Sequence, residues 1–171
     1  MDVREDRNQQ LSGDRVQVVS FHLGSEEYGV DISQVQEIIR MVEITHVPRA
    51  PHFMEGVINL RGQLIPIIDL RTRFDMSRLG ATKSTRIIVT EIGSKKVGMV
   101  VDRVSEVINI PIENVEGAPE MIAGVGTEYI QGVGKMNDRL IIMLDLTMVI
   151  TGAEKQQLDV ATLDTQHVAA S

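Results

Sequence analysis

The sequence contains no cysteine, no tryptophan and only five aromatic rings among its 171 residues. Without cysteine there can be no disulfide framework, no thiolate nucleophile and no cysteine-ligated metal, which fits a cytoplasmic address. The rings Phe21, Tyr28, Phe53, Phe74 and Tyr129 are too few for a base-stacking platform, and a net charge of −7 opposes polyanion binding. No nucleic-acid partner is therefore expected. Long apolar runs are also missing: the longest, Leu140 to Ile150, contains Asp145 and is too short to cross a bilayer. The first residues, MDVREDRNQQ, lack the apolar stretch of a signal peptide.

What is abundant is Cβ-branched aliphatic side chain, with 21 Val and 19 Ile against 11 Leu. Branching at Cβ restricts χ1 and suits a pleated surface better than a helix, so a mainly β protein with an aliphatic core follows. The length fits one domain or two small ones. Residues 1–15 read as a flexible polar arm and 152–171 as a polar tail that holds at most a short helix, Ala153 to Val160. The apolar pattern runs from about 16 to 151.

That body contains an internal repeat. At an offset of 69, Val18 to Ile39 (VVSFHLGSEEYGVDISQVQEII) matches Ile87 to Ile108 (IIVTEIGSKKVGMVVDRVSEVI). At an offset of 76, Gly56 to Leu70 (GVINLRGQLIPIIDL) matches Gly132 to Leu146 (GVGKMNDRLIIMLDL). The growth in offset places a longer loop within 109–127. Two matched blocks in one order indicate duplication of a supersecondary unit.

Each unit reads as strands. Val19, Phe21 and Leu23 alternate with polar neighbours, and Gly24-Ser25 and Gly93-Ser94 mark turns into second strands. Val35, Ile38 and Ile39, like Val104, Val107 and Ile108, have the spacing of one helical turn. Arg61-Gly62 and Asn137-Asp138 each connect a two-residue hairpin. Pro66 cannot donate to a ladder, so its strand is expected at an edge or at a bulge. Two small β-barrels result, a first over about 16–80 and a second over about 81–151. At such sizes a lone core is marginal, so the barrels should share one, with a docking groove beside it.

The candidate chemistry is sparse. His22, His46, His52 and His167 have no metal-ligand spacing, and no metal or cofactor is expected. Gly124-Val-Gly126 and Gly132-Val-Gly134 do not complete a phosphate loop. Asp69 and Asp145 are repeat equivalents that could serve as acid and base in a small enzyme. A capping role where a strand meets a helical turn is the better account. The groove also leaves open a small-ligand sensor. Charge falls in blocks, basic around Arg61 to Arg86 and acidic around Asp102 to Glu128, which can orient partners. Arg61 breaks a local rule, because Asn137 suits a left-handed turn whereas Arg61 does not. A type II turn would accommodate it, with Gly62 third. Glu37 in the same unit could pair with it.

Three segments, Gly56 to Leu70 with its Asn59-Leu60-Arg61-Gly62 core, Glu26 to Ile39 and Val97 to Ile108, resemble the CheW-like family of bacterial chemotaxis coupling proteins. The resemblance extends from about Val16 to Ile150. It implies two intertwined five-stranded SH3-like β-barrels, related by internal duplication, with short helical turns. It also implies a non-catalytic adaptor between two partners, the cytoplasmic hairpin tip of methyl-accepting chemoreceptors and the regulatory domain of the histidine kinase CheA. Such an adaptor has no membrane insertion of its own and reaches the inner face of the membrane through receptors. It is expected to be a monomer when isolated and to form rings within arrays. By the same resemblance, Val35, Glu37, Ile38, Arg61, Val104 and Val107 match receptor-binding positions, the apolar four lining the groove between barrels. Gly56, Val57 and Asn59 match a region linked to kinase binding. At this length the single-domain adaptor is expected rather than the kinase itself or an adaptor fused to a receiver domain.

Overall fold

A computed structural model describes residues 14–77, 79–117 and 128–170, with 164–170 as backbone alone. The expected N-terminal arm, except for Asp14 and Arg15, and the Gly124-Val-Gly126 segment lie outside the described residues.

Eleven strands are described: β1 (Arg15–Leu23), β2 (Glu26–Asp31), β3 (Glu37–Arg40), β4 (Met54–Leu60), β5 (Gln63–Asp69), β6 (Arg86–Ile92), β7 (Lys95–Val101), β8 (Arg103–Pro111), β9 (Val115–Gly117), β10 (Ile130–Met136) and β11 (Arg139–Leu144). Two helices of α type accompany them, α1 (Leu70–Arg73) and α2 (Gly152–Ala170). The protein is mainly β, as its Val and Ile content requires. One sheet has the order β8-β1-β2-β11-β10-β9 and the other β3-β6-β7-β5-β4.

Those two orders are the same order seen twice. By the repeat, β1, β2, β3, β4 and β5 correspond to β6, β7, β8, β10 and β11. Each sheet therefore takes the opening hairpin of one unit and the closing strands of the other. The division near residue 80 separates repeat units and not barrels, which corrects the sequential partition. The exchange is fastened by two parallel pairings, β2 with β11 (Tyr28 opposite Ile142) and β7 with β5 (Gly98 opposite Ile67). Gly98 is required at its crossing, because a Cβ there would lie 2.6 Å from Ile67 Cδ1 and 2.8 Å from Ile87 Cγ2. The first sheet has a sixth strand, β9, in the longer connection of the second unit. At the matching place in the other sheet stands a single bridge, Thr45 opposite Val57.

The strand alternation sorts the core into three clusters. Ile58, Ile65, Ile67, Ile87 and Val89 fill the inside of the second sheet. Val18, Ile110, Ile141 and Met143 fill the first. The largest cluster lies between the sheets, where Phe21, Leu23, Tyr28 and Val30 meet Ile88, Val97, Met99 and Val101. At about 1.5–3 kcal/mol per fully buried large aliphatic side chain, this shared layer couples the two sheets into one unit. It also collects the scarce aromatics: Phe21 stacks on Tyr28, Tyr28 meets Phe74, and Phe74 stacks on Tyr129 with centroids 4.8 Å apart.

Three local expectations change. The helical turns expected at Val35–Ile39 and Val104–Ile108 are strand from Glu37 onward in the first and throughout in the second: Ile38 pairs with Ile88 in β3, and Val107 with Val19 in β8, while Val35 caps the 3-10 turn before β3. The 3-10 turns lie elsewhere, at Ile32–Gln34 in the first unit and at Ile112–Asn114 and Leu146–Met148 in the second. A three-and-four spacing also arises where a strand has one face against a core and the other partly covered, and sheet pairing decided between them. Pro66 is in an interior strand, and it is tolerated because the parallel ladder with β7 begins one residue later, at Ile67. The tail forms a helix of 19 residues, longer than the short one expected. Leu158 and Ala161 bury against the shared core. Thr151 and Glu154 form a capping box, Glu154 N–H donating to Thr151 Oγ1 at 3.1 Å and Thr151 N–H to Glu154 Oε1 at 2.8 Å.

Candidate docking site

The hairpin joining β4 to β5 is closed by Arg61 and Gly62. Both are left-handed, with φ of 52° and 84°, so this is a type I′ turn and not the type II turn expected. The right-handed twist of the flanking strands favours I′. Arginine at its first position is strained, since Cβ crowds the carbonyl in that region. Asn59 Oδ1 accepts from the Gly62 N–H at 2.8 Å and braces the turn.

That geometry projects the guanidinium across the sheet onto Glu37. Arg61 Nη1 donates to Glu37 Oε1 at 2.9 Å and Nη2 to Oε2 at 2.7 Å. Glu37 lies on β3, one edge of the sheet, and Arg61 caps the hairpin at the other edge, so the pair closes the sheet upon itself. Hydrogen bonds from Arg61 hold the Glu37 carboxyl below the ordinary carboxylate range. The Arg61 side chain nevertheless keeps 66% of its surface exposed. An exposed pair of this kind contributes little to folding, and it presents a fixed fork of charge to a partner.

The structure thus brings Glu37, Asn59 and Arg61 together at one tip. It distributes the apolar candidates differently. Val35 and Val104 are half-buried against the shared core, whereas Ile38 and Val107 are exposed on the outer strands of opposite sheets. A cleft of about 390 Å³ opens beside the junction of the units, lined among others by His22, Met41, Arg71 and Asp102, but not by Val35, Ile38, Val104 or Val107. Gly56 and Val57 prove to be packing residues. Val57 is buried and exchanges backbone hydrogen bonds with Thr45 at 2.8 and 2.9 Å. Gly56 has φ 152° at a bulge, and a Cβ there would come within 2.2 Å of the Thr45 carbonyl oxygen. These two shape β4, and the exposed Asn59 is the member of that group available for contact.

Asp69 and Asp145 are caps. Asp69 Oδ1 accepts from the Arg71 N–H at 2.9 Å. Asp145 Oδ1 accepts from Thr147 N–H at 3.0 Å and from Gln34 Nε2 at 2.9 Å. Each stands where a strand passes into a helical turn, the structural role expected of it.

Two polar networks escaped sequence reasoning. Arg71, nearly buried, donates to both oxygens of Asp102 at 2.7 and 2.6 Å, and Asp102 also accepts from the Gly24 N–H at 2.7 Å. The hydrogen bonds from Arg71 hold the Asp102 carboxyl low. This pair ties one repeat unit to the other at the mouth of the cleft. The available signal was a charge at the end of an apolar run, in IIDLR and MVVDR. In the first sheet, Arg139 donates to Glu106 Oε1 at 3.0 Å and forks onto Glu27, which also accepts from the Ser20 hydroxyl. Glu106 is the repeat counterpart of Glu37, a correspondence the alignment at offset 69 already held.

The family model for the CheW-like domain matches residues 17–154. The chain is 38% identical over 151 residues to chemotaxis protein CheW of Klebsiella aerogenes, covering 87% of this chain and 91% of that protein. It is 34% identical over 152 residues to chemotaxis protein CheW of Treponema pallidum, covering 86% and 89%. Its fold is similar to the crystal structure of the scaffolding protein TtCheW from Thermoanaerobacter tengcongensis, with a TM-score of 0.75 at 40% identity, covering 82% of this chain and 97% of that one.

Proposed function

Because this chain belongs to the CheW-like domain family, we propose that it is a scaffold coupling chemoreceptors to the histidine kinase CheA, acting by placement of its partners and not by covalent chemistry. In this reading one partner is the cytoplasmic hairpin tip of a receptor and the other the regulatory domain of the kinase. The chain is drawn to the inner face of the membrane by the receptor; no helix among the described residues is long and apolar enough to cross it.

The observation that carries the proposal is the Glu37–Arg61 fork at a braced hairpin tip, exposed to solvent and strained in backbone. A fold gains little from such an arrangement, and a strained residue held by its surroundings is a hallmark of function. Glu37 and Arg61 act in receptor coupling, with Ile38 and Val107 as apolar contacts. Val35 and Val104 support them from the shared core. Asn59, beside Arg61, serves the kinase side while Gly56 and Val57 hold its strand in shape.

The test is reconstitution of receptor membranes, CheA and this protein, with kinase activity followed as protein is added. Arg61→Glu is expected to abolish activation with the unfolding midpoint retained. Activation by the variant equal to that of the wild type overturns the assignment of this tip.

A further inference from the structure

One corner of the second sheet carries charge that neither the fold nor the duplication requires. β3 and β6 set Arg40 and Arg86 directly opposite each other, and like charges so placed oppose folding. Lys83 stands on the turn that leads into β6. Among the described residues, no carboxylate lies within salt-bridge distance of any of the three. At the repeat-equivalent corner of the first sheet the opposed residues are Asn109 and Gln17, both neutral. Lys83 there corresponds to Asp14. The cations are therefore particular to one corner.

The corner is also built rigidly. Thr82 N–H donates to Thr85 Oγ1 at 2.8 Å, and Ser84 N–H to Thr82 Oγ1 at 3.1 Å. Arg86 Nη1 donates to the carbonyls of Lys83 and Thr85 at 2.8 and 2.9 Å. One edge of that guanidinium is held by backbone, while its Nε and Nη2 have no partner among the described residues. Arg40, Met41, Thr82, Lys83, Thr85 and Arg86 enclose an open depression of about 430 Å³. Two exposed aliphatic residues, Ile38 and Val42, lie on the adjoining chain.

We propose that this corner docks an acidic segment of a partner protein, whose carboxylates pair with Arg86, Arg40 and Lys83 and whose apolar residues rest on Ile38 and Val42. Partner carboxylates relieve the repulsion between the two arginines, which no carboxylate among the described residues compensates. A protein is favoured over a nucleic acid for three reasons: the patch has three cations on a molecule of net charge −7, no aromatic ring lines it, and aliphatic side chains border it. The three cations are distinct from the Glu37–Arg61 fork, although the surface shares Ile38 with the receptor-coupling contacts, and loss of peptide binding in the Arg40 and Lys83 variants would leave the coupling proposal standing.

The probe is a fluorescein-labelled poly-glutamate peptide, titrated with the intact protein and followed by anisotropy. Saturable binding that weakens as salt is raised is expected, with no binding of poly-glutamine. Arg40→Glu combined with Lys83→Glu should weaken binding by at least about tenfold. Lys135→Glu, in the other sheet, should leave it unchanged. Should the reversed variant fail to unfold cooperatively, Arg40→Gln with Lys83→Gln gives the same readout at lower perturbation. Undiminished affinity in a folded variant overturns the proposal. So does displacement of the peptide by a single-stranded oligonucleotide of equal charge at lower concentration, which would mark a general polyanion surface.

Discussion

The two closing hairpins hold the same place in the repeat and differ in what they expose. In the β10–β11 hairpin Asn137 takes the left-handed position, with φ 54°, at little steric cost. Its arginine comes two residues later and joins Glu106, Glu27 and Ser20 in a partly buried network. In the β4–β5 hairpin the arginine is itself the left-handed residue, and its one carboxylate partner among the described residues is Glu37. Duplication kept the theme of a strand glutamate joined to a hairpin arginine. One copy has become part of the fold, and the other faces outward. Where the same device is tied once into a partly buried network and presented once by itself, the presented copy is the one available to partners.

The largest effects are expected at the junction of the two units. Arg71→Ala leaves Asp102 without its cation at the junction of the units, and a loss of about 3 kcal/mol in urea unfolding is expected. If stability is unchanged, the ion pair does not couple the units. Leu158→Ala should cost about 2–3 kcal/mol, because the methyl groups removed lie in the shared core. Unchanged unfolding would place the terminal helix outside the cooperative unit.

The contrast between tips is sharpened by paired variants. Arg139→Ala should destabilise by about 1–2 kcal/mol, discounted because the arginine is partly exposed, through the charge left on Glu27. Arg61→Ala should leave the unfolding midpoint within error while receptor-dependent kinase activation falls. Equal stability effects at both arginines would erase the distinction. Acid provides a smaller, graded test. Glu27 and Asp102 have their carboxyls held below the ordinary range by hydrogen bonds from Arg139 and Arg71. A depressed carboxyl stabilises the fold above its unfolded pKa and ceases to do so as pH falls through the folded value. Stability should therefore be level above the carboxylate range, decline below it, and decline less in Arg71→Ala. An unaltered acid limb in that variant would remove Asp102 as a source of the decline.

Much of the site was legible before any fold was known. Arg61 stood out because its turn position suits Asn or Gly, and Glu37 was its candidate partner. Asp69 and Asp145 could be read as caps because the chemistry of a strand-to-helix junction is local. Gly56 was harder, since a glycine in a strand fits a docking surface and a close packing contact equally well. Only the Thr45 carbonyl at its back decided for packing. The Arg71–Asp102 and Arg139–Glu27 pairs were hidden because their partners lie 31 and 112 residues apart. Local pattern carries no information at that range.

By itself the sequence determined the β class, the duplication, the places of both hairpin turns and the caps, because Cβ branching, period-two alternation and turn chemistry act over a few residues. The tertiary structure decided which strands lie side by side. Alternation states which face of a strand is buried but not against whom, and the shared core is completed only when each unit gives its opening hairpin to the other. From that exchange come the closed edge that joins Glu37 to Arg61 and the buried pair that joins the halves.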